Sequence, residues 1–122
     1  MTATLNTYLH NPELQGDTFS FRGTREDAVL LFHGFTATSN EVYRLGKVLN
    51  NAGFTTVGPL LPGHGTNPAE LNKVHWQQWI ATAEVEYQAL AKTHRRVFVG
   101  GESNGALIAL MLAARHPEIA GV

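Results

Sequence analysis

The stretch AVLLFHG at residues 28–34 limits the fold more than any other part of the chain. Side chains alternate between the two faces of a strand, so five consecutive apolar residues, 28–32, cannot leave one face in water. Such a run predicts a central strand of a parallel sheet, covered by helices on both sides. Two further runs repeat the pattern: FTTVGPLLPGHG at 54–65 enters a Pro- and Gly-rich loop, and RVFVGG at 96–101 ends in glycines. Helical patterns lie between them. Val42, Leu45, Val48, Leu49 and Ala52 form one apolar stripe, with Thr38 and Glu41 at capping-box spacing before it and Gly53 at its end. Trp76, Trp79, Ile80, Ala83, Tyr87 and Leu90 predict a longer helix over roughly 75–93, with the two tryptophans on its core face. The apolar run 106–114 predicts a third helix that Pro117 stops at or just after His116. TFSFRG at 18–23 reads as a short strand, residues 1–17 as an irregular lead-in, and TNPAEL after the third strand as a polar connection.

Strand, helix, strand, helix, strand, helix requires right-handed crossovers and yields an α/β, three-layer α/β/α architecture with a mostly parallel sheet. The 122 residues read as one domain, and 43% hydrophobic with 16% charged residues suits a globular core. A net charge of -1 without basic runs offers no footprint for nucleic acid. The absence of cysteine excludes disulfides and thiolate chemistry. The N-terminus lacks a basic region followed by an apolar core, so the cytoplasm is the expected compartment. The run 106–114 is too short for a membrane span.

Gly101-Glu102-Ser103-Asn104-Gly105 fits G-x-S-x-G and lies directly between a strand and a helix. A nucleophile on such a turn projects from the carboxyl edge of the sheet, and Gly101 and Gly105 keep neighbouring side chains out of its way. The alternative is a glycine-rich turn in which Ser103 merely caps a helix. His33-Gly34-Phe35 decides between them: it follows another central strand, and a parallel sheet delivers both turns to one edge, where ligands bind. There the Phe35 and Asn104 amides can converge on a developing oxyanion.

With VLLFHGFTATSNEV, GPLLPGHGTNPAEL, HWQQWIATAE, VFVGGESNGALIAL and ARHPEIAGV in that order over about residues 28–122, the chain resembles the N-terminal half of the α/β-hydrolase family, within its carboxylesterase and monoacylglycerol-lipase-like branch. The resemblance implies a partial α/β-hydrolase fold, Ser103 as nucleophile, the Phe35 and Asn104 amides as oxyanion hole, a small ester substrate, and neither cofactor nor metal. Glu102 and Asn104 stand where this branch more often carries apolar residues. In the family the triad runs Ser, Asp or Glu, His, which places the acid and the histidine beyond Val122. His33 and His64 read as structural loop residues, and His10, His75, His94 and His116 as surface residues. Asp17 and Asp27 are expected at the edge away from Ser103.

Two function classes follow. The first is a carboxylic ester hydrolase whose activity is completed by a C-terminal half, and the second is an inactive half-domain that serves as an assembly or binding module. The stretch Val97-Phe98-Val99 is expected to form a bare apolar edge, which predicts homo-oligomers through it.

Overall fold

The computed structural model describes residues 16–122, so the lead-in expected over 1–17 falls almost wholly outside the described residues. Strand β2 (Asp27–Phe32) is buried at all six positions, as its apolar run requires. Parallel partners flank it on both sides: β3 (Thr55–Gly58) pairs Ala28 with Thr55, and β4 (Arg96–Gly101) runs in register from Asp27 opposite Arg96 to Phe32 opposite Gly101. The short β1 (Phe19–Phe21) joins antiparallel to β3 and gives the order β1-β3-β2-β4.

Helices cover the two faces as the periodicities predict. Helix α1 (Asn40–Asn51) lies on the face of Phe19, Val29, Leu31 and Val42. Helices α3 (Trp76–Ala91) and α4 (Asn104–Arg115) cover the other face, where Leu30, Phe32, Val99, Ile80, Tyr87 and Leu112 form the larger core. Among the described residues no helix is long and apolar enough to cross a membrane.

Several local expectations are corrected. TNPAEL contains a one-turn helix, α2 (Pro68–Leu71), because Asn67 Oδ1 accepts the Glu70 N–H at 3.2 Å and Pro68 occupies the first helical position. No capping box forms at α1. Glu41 instead bonds outside its helix, and the N-cap Ser39 donates its hydroxyl to the Asp17 carbonyl. Because β1 is antiparallel, Asp17 stands at the carboxyl edge of the parallel strands rather than away from it, and only Asp27 lies where expected. His116 is not a solvated surface residue: its ring packs 4.5 Å from Tyr87, and Nε2 lies 2.8 Å from Glu84. Trp79 is buried, whereas Trp76 is half-exposed.

The edge of β4 is not bare either. The Ala120 N–H donates to the Val97 carbonyl at 2.9 Å and the Val99 N–H to the Gly121 carbonyl at 3.1 Å, forming a parallel bridge from Phe98 to Gly121. Two of the free groups on which association through Val97 and Val99 would rest are therefore taken within the chain. At the opposite end of the strands Asp27 is held by Arg96 through two bonds of 2.9 and 2.8 Å, and by Arg25 at 3.2 Å. The Arg96 and Arg25 guanidiniums outweigh the cost of burial and lower the Asp27 carboxyl to about 2.

Candidate active site

The in-register ends of β2 and β4 bring two turns to one edge of the sheet. The Glu102 N–H donates to the Phe32 carbonyl at 3.1 Å, carrying the pairing one residue beyond β4. A Cβ on Gly34 would lie 3.5 Å from the Ser103 Cβ, so the His33-Gly34-Phe35 turn sits directly against Ser103. The two stretches that the sequence sets about seventy residues apart are neighbours.

Ser103 has φ 54° and ψ -119°, a conformation costly for any residue with a Cβ. Its side chain makes no capping bond, which removes the simple helix-cap alternative. The residue is exposed. Glycines on either side make the turn possible: a Cβ on Gly101 would stand 2.3 Å from the Gly105 carbonyl carbon and oxygen, and one on Gly105 would stand 2.1 Å from the Phe32 carbonyl oxygen. In both cases the obstacle is backbone.

Behind Ser103, α4 opens with its first amides facing outward. The Gly105 N–H turns back to Glu102 at 2.9 Å and the Ala106 N–H to Ser103 at 2.9 Å, whereas the Asn104 N–H has no acceptor among the described residues. The Phe35 N–H is equally unengaged there, since the bond that closes its turn runs from the Ala37 N–H to the Gly34 carbonyl at 3.2 Å, with Thr36 left-handed at φ 67°. The Gly34 N–H donates to Glu41 Oε1 at 2.7 Å, which ties this loop to the first turn of α1. The Thr38–Glu41 spacing signalled a helix start; it held no sign that the carboxylate would reach back to Gly34.

Neither loop histidine is hydrogen-bonded to Ser103. His33 is fully buried, with Nδ1 2.8 Å from the Gly34 carbonyl and Nε2 accepting the Leu61 N–H at 3.0 Å, so both ring nitrogens brace loops. Its proton sits on Nδ1. His64 places Nδ1 3.1 Å from the Pro62 carbonyl, while its buried Nε2 has no partner. Burial lowers the pKa of both rings below 6.5 and keeps them neutral. Phe35, His64 and Trp79 pack together at ring distances of 5.6 to 6.0 Å. Glu102 is exposed and enters the turn through its backbone.

Beside Ser103 a cavity of about 310 Å³ opens between α3 and α4, lined by Trp76, Trp79, Ile80, Asn104, Leu107 and Met111 among others. Asn104 is its one residue with an uncharged amide side chain, and Nδ2 of that amide is buried without a partner. The helical spacing of the tryptophans suggested core; it did not reveal that they form one wall of this space.

Comparison with known proteins bears on the fold that carries these residues. A thermostable monoacylglycerol lipase of Bacillus sp. (strain H-257) is 37% identical over 94 residues, covering 77% of this chain and 38% of the lipase. A carboxylesterase of Bacillus subtilis (strain 168) is 34% identical over 100 residues, covering 81% of this chain and 40% of the esterase. A solved structure of the metagenome-derived lipolytic enzymes LipS and LipT superposes with a TM-score of 0.81 at 30% identity, over 87% of this chain and 43% of that one. The chain thus spans about two-fifths of the length of these relatives. The profile of the alpha/beta hydrolase fold matches residues 27–122, and the chain belongs to that family.

Proposed function

We propose that this chain carries the nucleophile and oxyanion hole of a serine hydrolase acting on small carboxylic esters. The supporting observation is Ser103 itself: a left-handed residue between two glycines that admit no Cβ, with its side chain uncommitted at the carboxyl edge of the sheet. Its Oγ attacks the ester carbonyl carbon as its proton passes to a base. The carbonyl oxygen gains charge, and the Phe35 and Asn104 N–H groups donate to it; each donor of this kind contributes roughly 3–4 kcal/mol in the transition state. The tetrahedral species expels the alcohol, which takes up the proton, and water releases the acyl group from Ser103 by the reverse sequence. His33 is excluded as the base because both of its nitrogens are engaged. The base and its orienting acid are assigned to the further polypeptide that the lipase and esterase relatives possess. An open apolar groove of about 460 Å³ along Val29, Leu31, Leu49, Phe54 and Phe98, on the α1 side of the sheet, is a surface that such polypeptide would cover.

A fluorophosphonate probe tests the reading, because electrophile positioning does not require the base. Peptide mass spectrometry should find the label on Ser103 alone, with none on the Ser103→Ala variant. Supplying the C-terminal remainder of a homologous hydrolase should then raise turnover of short-chain p-nitrophenyl esters by orders of magnitude. Equal modification of Ser20 or Ser39 would refute the assignment, and absence of any label would favour the non-catalytic half-domain.

A further inference from the structure

Two large apolar side chains of the helices behind Ser103 are left exposed: Trp76, at the start of α3, is half-exposed, and Leu107 of α4 is 60% exposed. Both line the cavity of about 310 Å³ between those helices, with Trp79, Ile80, Ile108 and Met111. None of the described residues that line it is charged. Two features join this cavity to the Ser103 turn. On α4 its lining begins at Asn104, which directly follows Ser103, and continues through Leu107 and Ile108 to Met111, one stripe of the helix. On α3 the Trp79 ring packs 5.9 Å from the ring of Phe35, whose main-chain N–H is one of the two assigned to the oxyanion.

We propose that the cavity holds an unbranched hydrocarbon chain of about eight carbons, carried by the ester on its acyl or its alcohol side. The length follows from α4. From Asn104 to Met111 the helix advances about 10 Å, at about 1.5 Å per residue. A chain that spans about 3.8 Å in three bonds advances about 1.3 Å per carbon, so about eight carbons cover that distance. Volume sets a looser limit: an apolar cavity of about 150 Å³ holds the six carbons of benzene, so one of twice that size admits about twelve. Length is the tighter restriction. A chain in this place would cover Trp76 and Leu107, and each CH2 group that it removes from water should raise affinity about four-fold. The inference rests on the hydrolase reading only for the ester to which the chain belongs.

Tryptophan fluorescence reads the cavity without any reaction, since both tryptophans of the chain line it. In titrations with primary alkanols from butanol to decanol, affinity should rise about four-fold per CH2 group and level off at about eight carbons. Met111→Trp, which fills the far end, should move the plateau to a shorter alkanol. Leu107→Lys should weaken octanol binding about ten-fold, whereas Leu110→Lys, at a residue of α4 that is 54% exposed and outside the cavity, should leave it unchanged. Circular dichroism checks the folding of each variant. A profile that never levels off, or one that neither Met111→Trp nor Leu107→Lys alters, would overturn the proposal. The profile should persist in Ser103→Ala, so failed probe labelling with the profile intact removes the chemistry and leaves the site. Fluorophosphonates with an octyl chain on phosphorus or on the alkoxy oxygen distinguish the two sides of the ester. The one that labels Ser103 faster than its methyl counterpart carries the chain, and acceleration in neither refutes the assignment. Supplying the C-terminal remainder of a homologous hydrolase must leave the plateau in place; its loss would show that polypeptide, not substrate, fills the cavity.

Discussion

Gly105→Ala is the sharpest probe of the turn around Ser103. The added methyl would sit 2.1 Å from the Phe32 carbonyl oxygen, 2.6 Å from its carbon and 2.7 Å from the His33 carbonyl oxygen. All three atoms are backbone at the end of the central strand, so no side chain can swing aside. Relief requires α4 to withdraw from β2 by roughly 1 Å, which strains the 3.1 Å bond from the Glu102 N–H to the Phe32 carbonyl. Overpacking of this kind costs about 1–3 kcal/mol, and weakening that bond adds about 1 kcal/mol. Against this, alanine gains about 1 kcal/mol over glycine in a helix. The expected net loss of about 2 kcal/mol corresponds to a drop of about 1 M in the urea midpoint. Displacing Ser103 from the Phe35 and Asn104 amides should also slow fluorophosphonate labelling about a hundred-fold. Gly100→Ala is the control, because its Cβ would meet only Leu31 Cδ2, at 3.5 Å. If the two variants have equal midpoints and labelling rates, the close approach of α4 to β2 is not what holds Ser103 in place.

Other perturbations address the surrounding frame. Asp27→Asn should lower the urea midpoint at neutral pH; because the folded carboxyl is depressed from 3.8 to about 2, the wild-type advantage is fully present above 3.8 and disappears as the pH falls through about 2. A difference that persists in stronger acid would show that charge is not its source. His33 and His64 titrate below 6.5 in the fold, so the unfolded chain takes up protons first as the pH falls. Stability should therefore decline below pH 6.5, with a shallower decline in His33→Gln, and a flat profile measured by urea denaturation would contradict the buried neutral pair. Glu41→Ala removes the acceptor of the Gly34 N–H and should slow probe labelling of Ser103, while Glu41→Gln, which retains an acceptor oxygen, should recover most of the rate. Identical rates in the two variants would show that this bond does not position the loop.

Long-range order was more legible in the sequence than local hydrogen bonding. The unbroken run 28–32 identified the central strand because burial on both faces leaves no polar positions, and the G-x-S-x-G turn was legible because its glycines answer to backbone clashes that no other residue survives. Thr38 and Glu41 misled because a capping box is a local pattern, while the actual partner of Glu41 is an amide brought near by the sheet. Asp17 was misplaced for want of the direction of β1, which three residues of alternating pattern cannot specify. Trp76 and Trp79 share a helical stripe and both line the cavity, yet only Trp79 is also buried in the core, a distinction that depends on where α4 lies. The α2 turn was available from Asn67-Pro68 but brief enough to pass for a loop.

The bidentate contact between Asp27 and Arg96 matters beyond the end of the sheet where it lies. Those two residues are themselves the first pair in the β2–β4 register, and Phe32 opposite Gly101 is the last. A strand cannot slip by a fraction of its repeat, so an error at the charged end would arrive undiminished at the other as a whole step of about 3.3 Å. Such a step would carry the Phe35 amide out of hydrogen-bonding range of any oxygen held at Ser103. The ion pair thus works as an index mark: an aspartate eight residues before Phe35 and an arginine seven before Ser103 set the alignment that the proposed chemistry requires.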